Sequence, residues 1–126
     1  MSRLIALPFC LLLFVSAACT STPSGATCPS DSTDVPTYDN FGREFMETYC
    51  TGCHSASAPN RHGAPADQNY DSEADIKAHA AAIDAEAAAG PNAMNTAMPD
   101  LAGPVHAAPT NAEREKLGRF LACEQQ

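Results

Sequence analysis

The residues with the most pointed chemistry are Cys50, Thr51, Gly52, Cys53 and His54, a C-x-x-C-H run. Two thiols one helical turn apart can reach one edge of a porphyrin and add to its two vinyl groups. The histidine that follows then lies under the iron and can bind it through a ring nitrogen. This run is the attachment signature of c-type haem. Two other chemistries use such a Cys pair. A thioredoxin-like dithiol follows a strand in a βαβ unit, and no strand pattern precedes Cys50. A zinc site needs two further ligands at short spacing, and the chain carries no second Cys/His pair of that kind.

The elements that must position these residues are helices. Phe41, Phe45 and Tyr49 recur at i, i+4 and i+8, which predicts a helix from about Asp39 to Tyr49 with one aromatic face. Gly42 interrupts it at a cost of roughly 1 kcal/mol against Ala, so a close approach by another backbone is expected there. Residues 55–71 read as a long loop with Pro59, Gly63 and Pro65. A second helix should begin at Ser72, with Asp75 in the capping-box position, carry the stripe Ile76, Ala80, Ile83 and Ala87, and stop at Gly90-Pro91. Residues 91–109 form a second long loop holding Met94, Met98-Pro99, Leu101, Val105 and His106. The last helix should start after Thr110, with Glu113 completing a capping box and Leu117, Phe120 and Leu121 on its apolar face. Gly118 lies among them, placed to meet Gly42 where the first and last helices cross. Two loops longer than about 12–15 residues suit a chain that wraps a cofactor from both sides.

Length and composition bound the rest. The chain has 126 residues, enough for one small domain. Residues 1–18 read as a signal peptide: Arg3, the apolar run Leu4 to Val15, then small residues. The run is too short for a lasting membrane anchor, and export implies an oxidising compartment. Ser16-Ala17-Ala18 before Cys19 resembles a bacterial lipobox, which implies lipid on Cys19; ordinary signal cleavage nearby is the alternative. Thr20 is not the Asp that resembles an inner-membrane retention signal, which points to the periplasmic side of the outer membrane. Residues 19–37 are Ser, Thr, Pro, Gly and Asp with little to bury, and read as a flexible, lipid-anchored tether to a domain at 38–126.

Seven Lys and Arg, less Arg3, face fifteen Asp and Glu in the mature chain, a net charge of −9. Such a surface repels nucleic acid and favours redox partner proteins with basic docking patches. The apolar inventory is thin: beyond the leader the chain keeps Phe41, Phe45 and Phe120, three Tyr, two Ile and no Trp. A domain this small buries little surface, so a covalently held haem would supply the missing apolar body.

With these residues in place, the chain from about 38 to 126 resembles the small bacterial class I cytochromes c. The resemblance rests on Cys50-Thr51-Gly52-Cys53-His54 after a first helix, Met98-Pro99 in a loop well downstream, and a closing helix with Leu117 and Phe120. It implies an all-α fold, about three main helices and two long loops wrapped around one covalent haem c. Met46 stands where the family has an aromatic four residues after the glycine, and Phe45 is the neighbouring ring available for that packing. The resemblance implies His54 and a methionine as the two axial ligands, a set that raises the reduction potential relative to two histidines. Met98 matches the family context; Met94 is its main rival, and His106 and His79 are weaker ones. His62 reads as a loop residue and Met46 as core. His54 should donate its second ring N–H to a backbone carbonyl; the family often uses a proline there, which implies Pro65, otherwise a plain turn residue.

Of six cysteines, Cys10 leaves with the signal and Cys28 and Cys123 remain, able to pair in an oxidising compartment, although connectivity does not follow from sequence. A bridge over that span would stabilise by about 4–5 kcal/mol in the chain-entropy picture.

The functional expectation is a tethered, extracytoplasmic, single-haem electron carrier, not an enzyme, since two protein ligands leave the iron no open position. A haem subunit of a larger oxidoreductase is the alternative, as is a haem-based sensor if the distal methionine is displaceable.

Overall fold

The structure is a computed structural model that describes residues 21–31, 33–105 and 107–126. The expected signal peptide at residues 1–18, Cys19 and His106 lie outside the described residues. Within them the protein is built of helices without strands: a π-helical turn, Tyr38–Gly42, runs into α1, Arg43–Tyr49, followed by α2, Glu73–Ala87, and α3, Asn111–Glu124. None is long and apolar enough to cross a membrane.

The first helix starts one residue before the expected Asp39, because Thr37 and Asn40 cap it reciprocally. Its opening turn is widened: the Phe41 and Gly42 amides both donate to the Thr37 carbonyl at 3.0 Å. Gly42 does have a close neighbour, but it is the ring of Phe120, not Gly118. A Cβ on Gly42 would stand 2.5 Å from Phe120 Cζ. Phe120 also meets Phe41 edge-on, with centroids 6.2 Å apart. Thus Phe41, rather than Phe45, supplies the aromatic partner at this crossing. Gly118 lies elsewhere, against the Ala89 carbonyl and Ala26.

Ser72 caps α2 through the Asp75 amide, and Ile76, Ala80, Ile83 and Ala87 are its buried stripe. The helix ends at Ala87, earlier than the Gly90-Pro91 stop. The chain turns extended at Ala88, where the Ala89 amide donates to the Arg114 carbonyl and the Gly90 amide to the Ala93 carbonyl. Thr110 and Glu113 form the reciprocal cap of α3. Its face Leu117, Phe120 and Leu121 joins Phe45, Met46, Ile76 and Ile83 in one core. Tyr49 ties the end of α1 to the start of α3 through a 3.1 Å bond to Glu113.

The reading of residues 19–37 as a free tether is corrected over part of its length. Ser24 is fully buried; its amide and hydroxyl both bond the Asp84 carboxylate of α2. The Ser24 carbonyl accepts from the Asn92 amide at 2.8 Å, and the Thr22 carbonyl accepts from Asn95 Nδ2 at 2.9 Å. Four residues on, Cys28 is disulfide-bonded to Cys123 of α3. The segment is a strap across α2 and α3. Gly90, beyond the end of α2, allows the close contact: a Cβ there would stand 2.6 Å from the Ser24 carbonyl.

Two outcomes follow for stability. Gly42→Ala should destabilise by about 1–3 kcal/mol through overpacking, against alanine's better helix propensity, read as a lower urea midpoint at unchanged slope. Replacing Cys28 and Cys123 together by Ala should cost about 2–5 kcal/mol and speed hydrogen exchange at the Ser24 and Ala26 amides.

Candidate cofactor site

The turn of α1 does not stop at Tyr49. The Cys50 amide donates to the Met46 carbonyl at 2.8 Å, and the Cys53 and His54 amides donate back to Cys50 at 3.1 and 2.9 Å. This tight turn sets both thiols and the imidazole on the wall of one cavity of about 440 Å³. That lies in the range of small-molecule and cofactor sites. Phe45 and Tyr49 of α1, Ala82, Ile83 and Ala87 of α2, and Val105 of the second loop make much of the wall apolar. Met98 and Pro99 line the same cavity from the second loop, and Arg61, His62 and Gln68 from the first.

His54 is held in a defined tautomer. Its Nδ1 lies 3.1 Å from the Gln68 carbonyl, an N–H donor to it, which leaves the Nε2 lone pair for a metal. The acceptor is therefore Gln68 and not Pro65. The Pro65 carbonyl is taken by Arg61, whose guanidinium also donates to Ser55, Asn69 and Gln68 and whose Nε donates to Ala64. One arginine thus gathers the first loop and turns Gln68 toward His54. The His54 ring stacks on Tyr70, centroids 4.5 Å apart, and its carbonyl accepts from the Tyr70 amide at 2.8 Å. Burial lowers the His54 pKa, the Gln68 carbonyl opposing and the Arg61 cation adding to the shift, so the ring is a neutral donor at physiological pH.

Cys50 and Cys53 are not disulfide-bonded. Burial pushes the Cys50 thiol up to about 12, with the Arg114 cation pulling the other way. A neutral thiol is a poor metal ligand and a poor redox nucleophile. Among the described residues no three His, Cys, Asp or Glu side chains come together as a metal site, so nothing there completes a tetrahedral zinc site around the Cys pair. A haem iron asks less, since the porphyrin supplies four of six ligands. Two thiols, one imidazole nitrogen and one thioether around a largely apolar cavity fit that group.

Of the other candidate ligands described, only His62 touches the cavity. Met94 is 51 % exposed beside Thr22 and Asn95, away from the cavity wall. His79 is half-buried beside Tyr70 and does not line the cavity. His62 is at the cavity mouth, exposed, with a left-handed backbone (φ 49°). Met46 is core. Cys28 and Cys123 pair away from the cavity. Arg61, Gln68, Tyr70 and Arg114 are working residues that motif reading passes over. Arg114 alone leaves a sequence signal: it shares the 114, 117, 118, 121 stripe that buries Leu117, Gly118 and Leu121, so a cation falls on an apolar face.

No family model, no curated protein and no solved structure matches this chain.

Arg61→Ala should cost about 2–3 kcal/mol, since several charge-assisted bonds are lost together. It should also raise hydrogen exchange at Tyr70, whose amide depends on the placement of the loop, more than at Ile76 in α2.

Proposed function

We propose that this protein is a single-haem electron carrier of the cytochrome c kind, exported and held at the periplasmic side of a bacterial membrane, with the outer membrane favoured, by lipid on Cys19. The observation that carries the reading is the convergence of Cys50, Cys53, His54 and Met98 on one largely apolar cavity. A bound haem would supply a one-electron Fe(III)/Fe(II) couple. The chain's own residues do the rest. Cys50 and Cys53 would hold the group covalently. His54, oriented by Gln68, and Met98 would bind the iron, and an imidazole nitrogen with a soft, neutral sulfur would favour the reduced metal. Phe45, Ile83 and Val105 keep water from the cavity, which disfavours the extra positive charge of the ferric state in the same direction. With His54 and Met98 both bound to it, the iron would exchange electrons and leave no position for breaking substrate bonds.

The acidic surface suits docking to redox proteins with basic patches, and serves equally a subunit of a larger oxidoreductase. A second reading, a haem-based ligand sensor, is favoured by one observation: Met98 is 40 % exposed in a loop, where a ligand is more easily displaced.

Absorption of the haem-loaded protein tests the reading. Sharp reduced bands and a weak far-red ferric band from sulfur on iron are expected. Met98→Ala should abolish the far-red band and lower the potential by ~0.1 V or more, while Met94→Ala should leave both unchanged. A high-spin wild-type spectrum that shifts with carbon monoxide would select the sensor instead.

A further inference from the structure

The most unusual polar group outside the cavity wall is Arg114. Its side chain is 3 % exposed, and among the described residues no carboxylate pairs with it. A guanidinium keeps its charge at any physiological pH, and an unpaired buried charge is costly unless its donors are well used. Here one nitrogen, Nη1, donates to three carbonyls: Ala87 at 2.8 Å, Asn95 at 3.0 Å and Met98 at 2.8 Å. The first two join α3 to the end of α2 and the turn after it. The third reaches the residue whose side chain lines the cavity. The Met98 amide is fixed as well, donating to the Glu86 carbonyl of α2 at 2.9 Å. Both backbone polar groups of Met98 are therefore held by helices. Its neighbours Ala97, Asp100 and Leu101 are exposed.

We infer that Arg114 is a positioning residue for the distal ligand: its guanidinium clamps the Met98 carbonyl so that the sulfur is presented to the iron and resists displacement. This rests on the haem reading above. A purely structural arginine would need only Ala87 and Asn95. The bond to Met98 has its consequence at the ligand. Without it the Met98 backbone keeps only the bond of its amide to Glu86, and an added ligand competes with a freer methionine.

The test is imidazole titration of the ferric, haem-loaded protein, with the far-red sulfur band recorded in parallel. Arg114→Met keeps the length of the side chain and removes the donors. It should bind imidazole on the order of tenfold more tightly than wild type, the worth of one charge-assisted bond, with a weakened sulfur band. Arg114→Lys, which retains the charge and fewer placed donors, should fall between. Gly42→Ala, destabilised at a distance, should titrate as wild type, which separates clamping from general loss of stability. An unchanged imidazole affinity in Arg114→Met overturns the inference, and should that variant not accumulate, an unchanged affinity in Arg114→Lys does so. A wild-type protein that holds haem without the sulfur band overturns the Met98 reading and this inference with it. A wild-type band with an unshifted Arg114→Met titration overturns this inference alone.

Discussion

One buried guanidinium joins the parts of this protein that sequence keeps apart. Arg114 of α3 bonds the end of α2, the turn at Asn95 and the loop at Met98 from a single nitrogen, and its own carbonyl accepts from the Ala89 amide. These carbonyls need a donor because they lie where α2 has stopped and no ladder replaces it. The Arg114 Nη1 reaches all three, its two N–H groups shared among the carbonyls of Ala87, Asn95 and Met98. The second loop takes its path from that point, and with it the far wall of the cavity.

The near wall depends on a similar device. Arg61 collects carbonyls around the first loop, and the Gln68 carbonyl it turns inward sets the His54 ring. Each long loop is thus organised by one arginine bonding backbone oxygens, in place of the hydrophobic packing that three Phe and two Ile in residues 21–126 cannot provide. The disulfide and the Ser24–Asp84 contacts close the opposite side over α2 and α3. The helical core is small but continuous, and the cavity lies between it and the loops.

Most of the helical frame was readable in the sequence, because its signals are local. Ser72 and Thr110 mark helix starts through their own side-chain geometry, and the Ile76–Ala87 stripe follows from the helical period. What sequence could not carry was long-range pairing of backbone groups. Ser24 sits in a Ser, Pro and Gly stretch that reads as solvated, and only the distant Asp84 makes it a buried strap. Gly42 marks a point of close approach in the sequence, but its neighbour, a Phe120 ring, depends on how the helices cross. The same limit moved the His54 acceptor from Pro65 to Gln68, since the carbonyl that turns inward is chosen by Arg61 and not by residue type. The C-x-x-C-H run stands out in sequence because the haem attachment proposed for it needs two thiols and a histidine at fixed spacing, which leaves little freedom in sequence.

The most direct test of the central claim is the mass of the exported chain, made in a host that attaches c-type haem and measured after unfolding and reduction. The account predicts one haem retained per chain, on the peptide that contains both Cys50 and Cys53. Recovery of that peptide with both thiols free would contradict it.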